Sequence, residues 1–238
     1  MSAAAIGGMR PRTKGRLAGA AETLEGVTAT YGQVIVTGKL VVTADAAATA
    51  ANLLANEKLY WLGLASCLVG VLFHIVWGAL FYDLFRVVNR GLARLSALVV
   101  VVACSIQAVA AVLYLAPWLI LHGGGSMAAF SEEQRQLLAL WFFRWNDYAF
   151  EIYLVFFGFW CLLIGILIFW STFLPRILGV LLMIDGLAWM LYLSPPLGRQ
   201  LFPYIAIASA LSEIPLQLWL LIFGVNEQRW TEQASAAA

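Results

Sequence analysis

The chain has 238 residues, of which 63% are hydrophobic and 11% charged, and its formal net charge is +1. Soluble globular chains carry about a quarter charged residues, so this composition excludes an ordinary soluble domain. Near-neutral charge without a basic run excludes a nucleic-acid partner. With a mean hydropathy of +0.87, the expected surroundings are a lipid bilayer.

Residues 1–16 hold Arg10, Arg12, Lys14 and Arg16, like the basic start of a signal peptide. Residues 17–38 contain Glu22, Glu25 and Gln33, where a cleavable signal would have a clean apolar core. They are therefore read as a retained, unusually polar first span. An apolar run of about 20 residues crosses the hydrocarbon as a helix, because its backbone groups must be satisfied within the segment. Five further runs meet that length: 59–85, 93–121, 145–170, 175–194 and 203–224. Pro175 and Pro203 are placed at helix starts, where a missing N–H costs nothing. Ser194-Pro195-Pro196 is read as the stop of the fifth span, and Gly123-Gly124-Gly125 as the turn after the third.

Two shorter helices are expected outside the bilayer. One covers 45–57 with Asp45 as N-cap; the other covers 131–143, where Ser131 and Gln134 form a capping box. The expected fold is all-α: a six-transmembrane-helix bundle with short extramembrane helices. Its parts are a basic cytoplasmic segment 1–16, a six-span domain 17–226 and a cytoplasmic tail 227–238. With both termini inside, nine Lys and Arg residues fall on the cytoplasmic side and five outside, as the positive-inside rule requires.

DAAATAANLLANEKLYWLG, LFYDLFRVVNRGLARLSAL, FFGFWCLLIGILIFWSTFLPRILGVLL and LWLLIFGVNEQ together carry a resemblance. The chain resembles, over roughly residues 16–228, a family of bacterial integral membrane proteins described as domain of unknown function 4386. The LPRILGVLL stretch is the most specific element. The resemblance implies several spans in a bacterial inner membrane and brings no activity with it. Glu213 stands where the family pattern has an acidic residue in the last span.

A charged side chain at bilayer depth costs about 2.5–3.5 kcal/mol on insertion scales, so such residues turn away from lipid. His74 shares a small-residue stripe with Ser66, Gly70 and Gly78, which predicts that it faces another helix. Glu213 lies on a stripe with Ser209 and Gln217, and Pro215 frees the carbonyl of Leu211 nearby. Glu22, Glu25, Gly26, Ala29 and Gln33 share a face of the first span, and Asp185 sits with Ala188 and Tyr192. Arg144, Asp147 and Glu151 fall at i, i+3 and i+7, an expected ion cluster near the outer surface.

Glu25, His74, Asp185 and Glu213 are thus the candidate buried polar or proton-relay residues. Two readings follow. One is a non-catalytic membrane protein, free-standing, homo-oligomeric or an accessory subunit of a membrane complex, whose polar side chains bind helices together. The other is a small proton- or cation-linked transporter or channel centred on Glu213, with Glu25 and Asp185 as partners and His74 as a second titrating group.

No metal and no cofactor are expected. Two histidines give too few ligands for a metal hydrolase, and His74 is the single candidate ligand for a haem or pigment. No nucleophile elbow or phosphate loop is present, so an enzyme is not the expected class. Cys67, Cys104 and Cys161 are read as small buried apolar residues.

Overall fold

The structure, a computed structural model, describes residues 8–236. Residues 1–7 of the expected basic segment and 237–238 of the expected tail lie outside the described residues. Helix α1 (Pro11–Thr30) continues through a π-helical stretch, Tyr31–Val36, into α2 (Thr37–Leu40). Then follow α3 (Ala46–Ala55), α4 (Glu57–Phe85), α5 (Arg90–His122), α6 (Glu132–Trp170), α7 (Arg176–Trp189), α8 (Pro195–Ile222) and α9 (Glu227–Ala236). A 3-10 turn, Met190–Leu193, extends α7, and no strand occurs among the described residues.

Five helices are long and apolar enough to cross a membrane: α4, α5, α6, α7 with its 3-10 extension, and α8. The molecule is an all-helical, multi-pass membrane protein. Six spans were expected, but α1 is not among the five, because its acids and glycines lower its hydropathy.

Three local expectations change. The 131–143 helix is not separate. Ser131 and Gln134 do form the capping box, with Ser131 N–H donating to Gln134 Oε1 at 2.9 Å. The helix they start runs without interruption for 39 residues, about 58 Å, because no glycine or proline intervenes before Gly158. It is far longer than the roughly 30 Å of hydrocarbon.

Ser194-Pro195-Pro196 starts a helix as well as ending one, since Ser194 is the N-cap of α8 and the prolines occupy its first turn. Pro203 accordingly lies inside α8 and not at its start. Prolines are tolerated in that first turn because its N–H groups have no partner within the helix. By contrast, Pro175 caps α7 and Asp45 caps α3, Asp45 Oδ1 accepting from Ala48 N–H at 2.9 Å.

The chain divides into two compact units, and four of the helices contribute to both. The unit of residues 25–72 and 105–151 has a core of Val36, Leu40, Leu53, Tyr60, Tyr114 and Phe143, with Leu64 and Ala111. Pro117 lies inside α5 here. Side chains of other helices reach carbonyls in the two turns before it: Tyr60 O–H donates to Tyr114 O, and Asn146 Nδ2–H donates to Ala110 O at 2.8 Å. Gly32 brings the π stretch so close to α4 that an added Cβ would lie 2.7 Å from Gly63 O.

The other unit, residues 1–24, 73–104 and 152–238, is organised by backbone contact between helices. Gly158 and Gly165 on α6 meet Gly186 and Gly179 on α7. A Cβ on Gly186 would lie 2.5 Å from Gly158 O, and one on Gly165 would lie 2.8 Å from Gly179 O. The seven-residue spacing on each helix repeats the contact two turns on, closing the antiparallel hairpin. Helix α1 approaches α8 in the same way: a Cβ on Gly19 would lie 2.8 Å from Leu220 Cβ and 3.2 Å from Gln217 O.

Helix α9 is tied down by Trp230 Nε1–H donating to Leu84 O at 2.9 Å and by Thr172 N–H donating to Gln233 Oε1 at 3.0 Å.

These contacts predict opposite outcomes for two glycines. Gly186→Ala forces the α6 and α7 backbones apart and lowers unfolding stability in detergent by about 1–3 kcal/mol. Gly26→Ala, where a Cβ meets nothing within 4 Å, leaves stability unchanged or raises it by up to about 1 kcal/mol. Thermal melts followed by circular dichroism check both.

Candidate functional site

Asp185 lies on α7 one residue before Gly186, so the glycine contact that closes the hairpin also presses this carboxyl into the interior. The residue is 0% exposed. Its polar neighbours are the Glu213 carboxyl, the Cys161 thiol and the Trp189 indole. Neither Asp185 oxygen is in hydrogen-bond geometry with these neighbours, and the buried Trp189 N–H has no acceptor in that geometry. Glu213, on α8, is half-buried, and its Oε1 accepts from Ser209 O–H at 2.7 Å. Two acids from different helices therefore stand side by side, with one indole N–H, one thiol and the Ser209 hydroxyl around them.

Glu22 is the third acid of this cluster, close enough to act electrostatically on Cys161 together with Asp185 and Glu213. The approach of Gly19 to Leu220 and Gln217 accounts for its place: α1 and α8 run antiparallel, so Glu22 comes level with the turn preceding Gln217. Glu22 is buried, as is Ala18 one turn before it. The opposite face of α1 exposes Leu17, Leu24 and Val27, so this helix turns its acids inward and its apolar side chains outward.

Lys14 continues the buried face of α1, four residues before Ala18 and eight before Glu22. Its Nζ pairs with Asp83 Oδ2, and the other Asp83 oxygen accepts from Arg86 Nε at 2.9 Å. The Lys14 side chain is 3% exposed, whereas that of Arg86 is 47% exposed, so Asp83 joins a surface cation to an interior one.

His74 is fully buried, as its stripe predicts. Its ring stacks on Trp77 at 4.6 Å, and the Tyr153 hydroxyl lies 3.4 Å from Nδ1. Phe157 meets His74 edge-on at 6.1 Å and Trp189 at 6.3 Å, so an aromatic chain runs from the imidazole to the indole beside the carboxyl pair.

Of the four expected relay residues, Asp185 and Glu213 come together and His74 is linked to them through rings. Glu25 is buried but belongs to the other compact unit. Of the expected outer cluster, Glu151 is buried, Asp147 is exposed and Arg144 lies 5.0 Å over the Trp141 ring. No group of three or more His, Cys, Asp or Glu side chains arranged to hold a metal ion occurs among the described residues.

Sequence reasoning did not assign Glu22, Lys14, Asp83, Cys161 or Trp189 to a site. Two signals were there to use: Trp189 follows Asp185 by four residues, and Lys14 precedes Glu22 by eight.

Removing one partner of a buried ion pair leaves the other charge desolvated. Lys14→Ala or Asp83→Ala should therefore destabilise the protein by about 3–5 kcal/mol. Arg86→Ala, at a half-exposed position, should cost no more than about 1 kcal/mol. Denaturant or thermal unfolding in detergent measures the difference.

The profile of the family described as domain of unknown function 4386 matches residues 17–224. No curated protein matches the chain, and no solved structure does. The match covers every helix of the carboxyl cluster and most of the chain, and the protein belongs to this family of domain of unknown function 4386.

Proposed function

We propose that this is a six-span protein of the bacterial inner membrane, with both termini cytoplasmic. In this reading the Asp185–Glu213 pair carries a proton in the service of proton- or cation-linked transport. The sixth span is α1. It packs antiparallel to the last turns of α8 through Gly19, with Gly15 against Gly224 and Val225 just beyond them, and its outward face exposes Leu17, Leu24 and Val27. A helix of 20 residues followed by the π stretch is long enough to cross. The even span count brings both chain ends to one side, and Arg12 Nε–H donating to Phe223 O at 3.0 Å fits that arrangement. The excess of Lys and Arg on that side makes it cytoplasmic.

The observation that carries the functional reading is the adjacency of two carboxyls on different helices at bilayer depth. Two negative charges side by side, away from water, repel strongly, so one proton shared between them is the favourable state. Ser209 O–H donates to Glu213, and the Trp189 indole and Cys161 thiol are polar neighbours of Asp185. In this reading the buried His74 is the second candidate proton-carrying group.

A second reading, a non-catalytic subunit or homo-oligomer, is favoured by Tyr60 and Asn146, whose buried side chains bond carbonyls of another helix and serve cohesion alone. It predicts a stable partner after gentle detergent extraction.

Reconstituted vesicles with an internal pH dye separate the two. The proton-linked reading predicts that Glu213→Gln and Asp185→Asn each lower proton flux at least tenfold while the melting profile is kept. Flux that is equal in wild type and both variants would overturn it.

A further inference from the structure

We infer that the Lys14–Asp83 ion pair is the gate between the carboxyl cluster and the side of the membrane that carries the termini. This rests on the functional reading above and concerns how water reaches that site. Lys14, Ala18 and Glu22 lie one above another on the buried face of α1, so the ion pair stands about 12 Å along the helix from the nearest acid of the cluster. Between them this face carries Ala18 and Ala21 with Gly15 and Gly19, and no polar side chain. At one end, Asp83 also holds Arg86, which is half-exposed. At the other end is Asp185, 0% exposed, whose oxygens are not in hydrogen-bond geometry with any neighbour. The line therefore leads from a solvated cation, through one buried ion pair, to polar atoms still able to bond water.

An ion pair suits this position for a physical reason. When an apolar contact opens, it exposes hydrocarbon and nothing offsets that loss. When a buried ion pair opens, both charges recover hydration, which offsets much of the lost attraction. Lys14–Asp83 is thus the lateral contact on this face that can break and reform at modest cost. The Gly19 contact holds α1 against Leu220 of α8. Trp230 of α9, bonded to Leu84 O next to Asp83, holds the closed form of the α4 end in place.

Cys161 provides a native reporter, since its thiol lies against Asp185. In the full-length chain carrying Cys67→Ala and Cys104→Ala, Cys161 is the remaining thiol. Its reaction with a cationic, water-soluble methanethiosulfonate, added from the terminus side of reconstituted vesicles, reads water access to the cluster. The gate predicts that Lys14→Met with Asp83→Leu raises the reaction rate by roughly tenfold or more. The exchanged pair, Lys14→Asp with Asp83→Lys, should return it to near the parent rate.

Should the apolar pair fail to fold, Asp83→Asn keeps an acceptor for Lys14, removes only the charge and carries the same expectation. A folded neutral variant that reacts at the parent rate overturns the gate. Thiol reaction is blind to whether Glu213 moves protons. Unchanged flux in Glu213→Gln therefore overturns the functional reading, and thiol labelling decides the gate separately.

Discussion

A charge at bilayer depth has no water to turn to, so each one must find its partner inside the protein. That constraint accounts for most of what is unusual here. Lys14 is buried because Asp83 meets it, and Asp83 is held in turn by Arg86. The imidazole of His74 is enclosed by Trp77, Tyr153 and Phe157. Helix α1 reverses the usual amphipathic order, with Lys14 and Glu22 inward and Leu17, Leu24 and Val27 outward. Its low hydropathy is a consequence of which way it faces. By composition it is a poor candidate for a span, although the side chains it turns outward are apolar.

Partners for buried charges have to be brought very close, and glycine makes this possible. Four glycines let α6 and α7 touch backbone to backbone, and Gly19 brings α1 equally close to α8. Asp185 adjoins one of these contacts and Glu22 follows another by three residues. The acids are therefore carried on the stiffest part of the unit, where helix separation is fixed by main-chain atoms rather than by side-chain packing. A site built this way holds its geometry when one carboxyl is replaced by its amide, which makes isosteric substitution informative.

Much of this was legible in the sequence. Hydropathy located all five apolar helices but bounded only three of them closely, and the spacing of Ser66, Gly70, His74 and Gly78 placed His74 inside. The stripe of Ser209 and Glu213 became a hydrogen bond. What was not legible depends on which helices are neighbours. Lys14 reads as one more cytoplasmic cation until Asp83, 69 residues away, is known to face it. Glu22 and Glu25 are equivalent on one helix face, and only the neighbouring helices distinguish them. Pro203 was misplaced because a proline inside a span resembles one at its start when the preceding residues are polar, as Gly198, Arg199 and Gln200 are. The 131–143 segment was separated from α6 on hydropathy, whereas the absence of any breaker was the stronger signal.

The central claim is that Asp185 and Glu213 hold a proton between them inside the membrane. Infrared difference spectroscopy of the full-length protein in lipid tests it directly, through the carbonyl stretch of a protonated carboxyl group and its shift in heavy water. The account predicts such a band in the wild type near neutral pH, and its loss or displacement in both Asp185→Asn and Glu213→Gln. A wild-type spectrum with no protonated carboxyl band, or a band unchanged in both variants, would contradict it.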